Sequence, residues 1–268
     1  MGHLLSRIYR RFFWQAYDNI GTLVAVNAIW FGLCAVPTVL CFRFAPLGQM
    51  PRLAATAAVG FLTCTVAGSG VFAQAARAAR REEPSARRFF RDGRRFYARM
   101  MGATALFGIL CALLFYSIRF YSAVRAGGGI PGYFLAGLQI WILAFASLMQ
   151  VYLLPLIFVR DWGLRRAVKW SAILVVLRPG LTILLFLQVF GLCLVLAVTV
   201  IGAVLVLYGL ATLFLSISLQ EVLREMERRT APEARPSSWK EIFAERDRRL
   251  EEEDEDQRSL KDILRPWE

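Results

Sequence analysis

Long apolar stretches alternate along this chain with short arginine-rich segments. An apolar run of ~18 or more residues is long enough to cross the hydrocarbon core of a bilayer as a helix. Six such stretches can be drawn, roughly 20–42, 53–76, 100–122, 132–158, 180–200 and 202–223. The last two divide one apolar run of 43 residues, Leu181 to Leu223. It has about twice the length one crossing needs, and the turn is best placed near Gly202. The pattern predicts an all-α, polytopic membrane helical bundle of six transmembrane helices over residues 1–223, followed by a charged cytoplasmic tail, 224–268.

The basic segments repeat. Arg10-Arg11-Phe12-Phe13, Arg87-Arg88-Phe89-Phe90 and Arg165-Arg166-Ala167-Val168 are offset by 77 and 78 residues, and a pair of apolar stretches follows each. A regular period of this kind implies copies of one unit, here about 1–80, 81–160 and 161–223. Each unit reads as an amphipathic interfacial elbow helix leading into a membrane hairpin. In the first, Leu5, Ile8, Phe12, Phe13 and Ala16 alternate with Arg7, Arg10 and Arg11. In the second, Phe89, Phe90, Gly93, Phe96 and Met100 oppose Arg87, Arg88, Arg91, Arg94 and Arg95. In the third, Leu164, Ala167, Val168 and Ser171 oppose Arg165, Arg166 and Lys169, with Asp161 placed to cap the helix. Such helices lie in the headgroup plane, aromatic side down and arginine side toward phosphate. Ordinary positively charged flanks are the plainer alternative, but flanks alone do not explain the spacing.

Charge then sets orientation. The chain carries 32 Lys+Arg against 20 Asp+Glu, a formal net charge of +12. With six spans, one side receives 17 of the 21 basic residues up to position 220; the other receives Arg43, Arg52, Arg119 and Arg125. The positive-inside rule places both termini in the cytoplasm of a multi-pass cell-membrane protein. Because the arginines flank apolar runs, anionic lipid headgroups rather than nucleic acid are the expected partner.

Candidate chemistry is sparse. Between Asp18 and Glu221 the acids are Glu82, Glu83, Asp92 and Asp161, all in basic segments, and the one histidine is His3. Cys34, Cys41, Cys64, Cys111 and Cys193 form no C-x-x-C pair, so no usual metal spacing can be assembled. Nucleophilic triads need a nearby histidine, and proton-coupled transport usually needs an intramembrane acid or histidine. No enzyme and no cofactor is expected. Within the spans Asn27, Gln139, Gln150 and Gln188 are the amides expected to face the bundle; they either glue helices together or line a polar path. Gly68-Ser69-Gly70 and Gly209 permit close helix approach. In the tail, six consecutive acids at 251–256 precede Leu260, Ile263, Leu264 and Trp267, whose helical spacing reads as a docking stripe, a purely disordered end being the alternative.

Several of these features together resemble the YesL-like family of bacterial integral membrane proteins. The residues carrying the likeness are Asn27-Ala28-Ile29-Trp30 and Pro37-Thr38, then Phe72-Ala73-Gln74-Ala75-Ala76, then Glu82-Glu83 leading to Phe89-Phe90 and Phe96. The stretch between Pro37-Thr38 and the small-residue segment is longer here than in the family's pattern. The resemblance implies an accessory or regulatory role beside a membrane transporter, carbohydrate uptake being the class it suggests, and it defines no catalytic residue. A transporter, channel or lipid-handling protein with a polar path between the hairpins is the alternative.

Overall fold

A computed structural model of the protein describes residues 2–44, 48–123, 129–199 and 206–230. It is helical throughout, with no strand among the described residues. The helices are α1 (Gly2–Asp18), α2 (Ile20–Phe44), α3 (Gln49–Ala79), α4 (Phe89–Ala123), α5 (Gly129–Val159), α6 (Leu164–Leu177), α7 (Pro179–Val198) and α8 (Tyr208–Thr230), with a single 3-10 turn, Ala86–Arg88, before α4. Four segments, Ile20–Phe44, Pro51–Ala79, Ala86–Tyr121 and Phe134–Val159, are long and apolar enough to cross a membrane. The pair Leu164–Leu177 and Pro179–Val195, bent by 107°, would make a fifth if the two form one span. The turn expected near Gly202 and the tail stripe Leu260, Ile263, Leu264 and Trp267 lie outside the described residues.

The three basic segments do not behave alike. In the third, α6 is a separate helix whose buried face is Ala167, Ser171, Leu174 and Val175. It ends at Arg178 because the following Pro179 disfavours α conformation in the residue before it; Arg178 sits at φ −138° and ψ 61° and the chain turns sharply into α7. In the first, α1 stops at Asp18 and α2 starts at Ile20. In the second the expected elbow is absent: one helix runs from Phe89 to Ala123. The reason is visible in its buried residues, Phe89, Gly93, Phe96, Met100 and Ala103. They step by four and three, so one stripe passes straight from the basic segment into the apolar one. No proline or capping residue interrupts it.

Glycine brings α3 and α4 together. A Cβ on Gly93 would lie 2.9 Å from the Gly70 Cα, and one on Gly70 would lie 2.5 Å from the Phe89 ring. Such backbone-to-backbone approach is available only without side chains. The largest core cluster joins Leu4 and Ile8 of α1, Phe72 of α3, Phe96 of α4, Tyr152 and Leu156 of α5, Leu174 of α6, Leu185 of α7 and Phe214 of α8. α8 packs against α1, α2, α3, α5 and α7. It buries polar as well as apolar residues, among them Thr212, Ser216, Ser218 and Glu221.

Candidate functional site: an arginine-clamped end of the bundle

The basic segments meet at one end of the bundle, where helices α3 and α5 finish. A helix C-terminus leaves its last carbonyls without intrahelical partners and carries the negative end of the helix dipole. Arginines from neighbouring elements fill both deficits. Arg11 of α1 donates to the Ala79 carbonyl at the end of α3 at 2.5 Å. Arg80, the residue after α3, donates to the Phe158 and Val159 carbonyls at the end of α5, both at 3.3 Å. Arg160, the residue after α5, pairs with Glu227 of α8 at 2.8 Å. Arg7 pairs with Glu225 at 2.9 Å. Arg95 and Arg99 of α4 both pair with Asp161 in the loop before α6.

The deepest of these contacts is the pair Arg11–Glu221, 2.6 Å apart with side chains only 5% and 6% exposed. Arg11 also donates to Gln220 at 2.8 Å, and Arg224 reaches the same Glu221 oxygen at 3.3 Å. A buried charge is tolerated when it is paired and its remaining hydrogen-bonding capacity is met, and removing one partner costs several kcal/mol. Arg11 was expected on the headgroup face; the structure places it inside. The buried face of α1 is Leu4, Ile8, Arg11 and Gln15 rather than one centred on Phe12 and Phe13, and Phe13 is exposed. The ion pair to α8 fixes that rotation. Tyr9 packs near Phe214, and partial burial raises its phenol pKa above the ordinary value.

Two loop residues in this end have left-handed backbone, Arg81 at φ 61° and Asp161 at φ 53°. At Arg81 the reason is a Schellman turn: the Glu82 N–H donates to the Arg77 carbonyl and the Arg81 N–H to that of Ala78, both at 2.9 Å. Glycine is the usual residue at that position, and a side chain there costs roughly 1–2 kcal/mol. Asp161 turns the chain after α5 with left-handed backbone as well. It therefore does not cap α6, whose preceding residue is Gly163; it serves instead as the shared partner of Arg95 and Arg99. A second, part-buried contact, absent from the expected sites, holds the start of α4. Gln74 accepts from the Ser85 N–H at 2.9 Å and donates to Asp92 at 3.3 Å, and Arg77 reaches the same Asp92 oxygen at 3.3 Å.

Among the expected headgroup arginines, Arg87, Arg88, Arg91, Arg94, Arg95, Arg165, Arg166 and Lys169 are exposed and Arg10 is half-buried. The opposing Phe89 and Phe96 are buried and Phe90 is exposed. Arg166 stacks over the Trp162 ring at 4.4 Å, a geometry that fixes a guanidinium without neutralising it. The expected bundle amides separate. Asn27, fully buried on α2, accepts from the Tyr208 and Gly209 backbone N–H groups at 3.1 and 3.0 Å, satisfying donors that the first turn of α8 leaves open. Gln139 of α5 donates to Ser117 of α4 at 2.8 Å. Gln150 and Gln188 are half-buried on α5 and α7.

Between the clamped helix ends lies a cavity of about 450 Å³. Its lining includes Arg11, Arg80, Arg81, Arg160 and Arg224, set against the carboxylates Glu82 and Glu227, with Gln220 and Val159 completing the wall. Five arginines against Glu82 and Glu227 in the wall, and against Glu221 behind Arg11 and Arg224, make it an electropositive recess. No group of three or more His, Cys, Asp and Glu side chains arranged to hold a metal occurs among the described residues. Comparison of the chain with protein-family models, curated proteins and solved structures returns no match.

Arg80, Arg81, Arg160, Arg224 and Glu221 were missed as site residues. Their positions at helix ends were legible in the sequence, and Glu221, the one acid set within an apolar run, was a usable signal. Which arginine meets which carbonyl was not, since the partners lie 68 to 79 residues apart.

Proposed function

We propose that this chain is a non-enzymatic integral membrane protein acting as an accessory or regulatory partner of a membrane transport system. Carbohydrate uptake is the class that its resemblance to the YesL-like family suggests. The observation that carries the reading is the fate of the bundle amides. Asn27 is spent on the start of α8 and Gln139 on Ser117, so both act as glue between neighbouring helices rather than as steps of a shared path. The protein's distinctive chemistry lies instead at the arginine-rich end, on a surface suited to contact.

The finer topology belongs to the same proposal: six spans as three hairpins, both termini and the basic end in the cytoplasm, anionic headgroups around the exposed arginines. Single cysteines substituted at Glu83, Gly128 and Lys240 test it in intact cells. An impermeant reagent should label only the variant at position 128; labelling at 83 reverses the orientation. Purification from mild detergent, with identification of co-purifying proteins, tests the partner. Recovery of a transporter subunit is the expected result, and a chain recovered alone with transport activity of its own after reconstitution would refute the accessory role.

One observation favours a second reading, transport or lipid handling by this chain itself. Helices broken in mid-membrane line substrate sites in many transporters, and α6 and α7 break by 107°.

A further inference from the structure

We propose that the arginine-lined cavity at the clamped end is a binding site for a phosphate-bearing anion. The recess of about 450 Å³ is within the range of small-ligand sites. Guanidinium forks match phosphate oxygens two at a time, which a single ammonium cannot do. An anion would ordinarily be unfavourable here, because the C-termini of α3 and α5 point negative dipole ends at the same place. The clamps remove that obstacle: Arg11 and Arg80 already occupy the terminal carbonyls of both helices. Glu221 is engaged by Arg11 and Arg224. The two wall carboxylates, Glu82 and Glu227, each face an arginine, Arg80 at 3.0 Å and Arg160 at 2.8 Å. Arg81 adds an independent sign. Its backbone occupies a left-handed position that glycine would fill without strain, yet the residue bordering the cavity there is an arginine. Strain of this kind is retained where the side chain is used.

The anion has two sources, a lipid headgroup reaching in from the surrounding bilayer or a soluble phosphate compound. Neither depends on whether a transport partner docks. The full-length protein is placed in nanodiscs of phosphatidylcholine, and two probes are applied. Phosphatidylglycerol is doped into the discs and protein-bound lipid counted by native mass spectrometry. Separately, inorganic phosphate is titrated and the unfolding temperature followed against chloride at matched ionic strength. Retention of phosphatidylglycerol identifies the headgroup; a shift with phosphate beyond that with chloride identifies a soluble ligand.

Arg81→Gly and Arg160→Gln should each weaken the positive response about tenfold, the loss expected for one charge-assisted contact. Arg81→Gly relieves the turn, so its own unfolding temperature should not fall and a folding defect cannot explain the loss. Arg43→Gln, outside the clamped end, should change nothing. Equal responses to phosphate and chloride with no lipid retained overturn the proposal, as does full binding by both cavity variants. Partner recovery in detergent is read separately, so either idea can fail alone.

Discussion

At the clamped end, Phe72, Tyr152, Leu174 and Phe214 close into one core around a buried arginine–glutamate pair. Elsewhere in the bundle, Phe44, Ile109, Leu113, Tyr116, Trp141 and Val198 stand exposed on α2, α4, α5 and α7. The first region is built like the interior of a water-soluble domain, with apolar packing and its buried charges paired in place. The second leaves its apolar side chains outward, as a surface solvated by acyl chains does, where no hydrophobic force drives helices together. Stability should therefore be concentrated at one end, and graded substitutions along the bundle measure how sharply.

The largest effect is expected from Glu221→Leu, which leaves the Arg11 charge buried without its main partner. A loss of about 3–5 kcal/mol, read from unfolding in detergent, is the expected result. Arg11→Met combined with Glu221→Leu should lose much less than Glu221→Leu alone. Next is Gly93→Ala, whose methyl group would meet the Gly70 backbone; forced separation of α3 and α4 should cost roughly 1–3 kcal/mol. Asn27→Ala removes the acceptor for two N–H groups at the start of α8 and should cost about 1 kcal/mol. Hydrogen exchange should rise first at Tyr208 and Gly209.

Asp161→Asn tests a pair of contacts at the same end but in the open, the bridges to Arg95 and Arg99. It should cost between ~0 and 1 kcal/mol and the difference should shrink as salt is added. Smallest of all, Leu113→Ala in the exposed stretch of α4 should stay within about 0.5 kcal/mol. A loss there as large as at Gly93 would mean that the outer half is packed against something, and the contrast between the two ends would fail.

What the sequence revealed follows the same division. Hydropathy located the four long apolar helices, since a run's length and apolarity are local properties. Of the six spans it drew, 180–200 counts only with α6 as one bent pair, and 202–223 is not among the spans found in the described residues. Of the face expected on α6, Ala167 and Ser171 are buried and Leu164 and Val168 half-buried; it was legible because its period is carried by adjacent turns. The face of α1 was not: Arg11 reads as a headgroup residue until Glu221, 210 positions away, is known to meet it. The elbow expected before residue 100 failed for a related reason. The basic segments recur in composition, but whether a helix bends depends on local breakers, and only the third segment is followed by a proline, Pro179, at the bend. The left-handed turn at Arg81 carries no glycine to announce it.

The unbroken course of α4 has a mechanical consequence. Thirty-five residues make a rod of about 52 Å at 1.5 Å per residue, against ~30 Å of hydrocarbon. With Arg95 and Arg99 gripped at one end and Ser117 bonded to Gln139 toward the other, it has no joint at which to absorb a displacement. A tilt imposed on its arginine end must be carried whole to the far end, whereas the bend at Arg178 lets α6 shift without dragging α7 along.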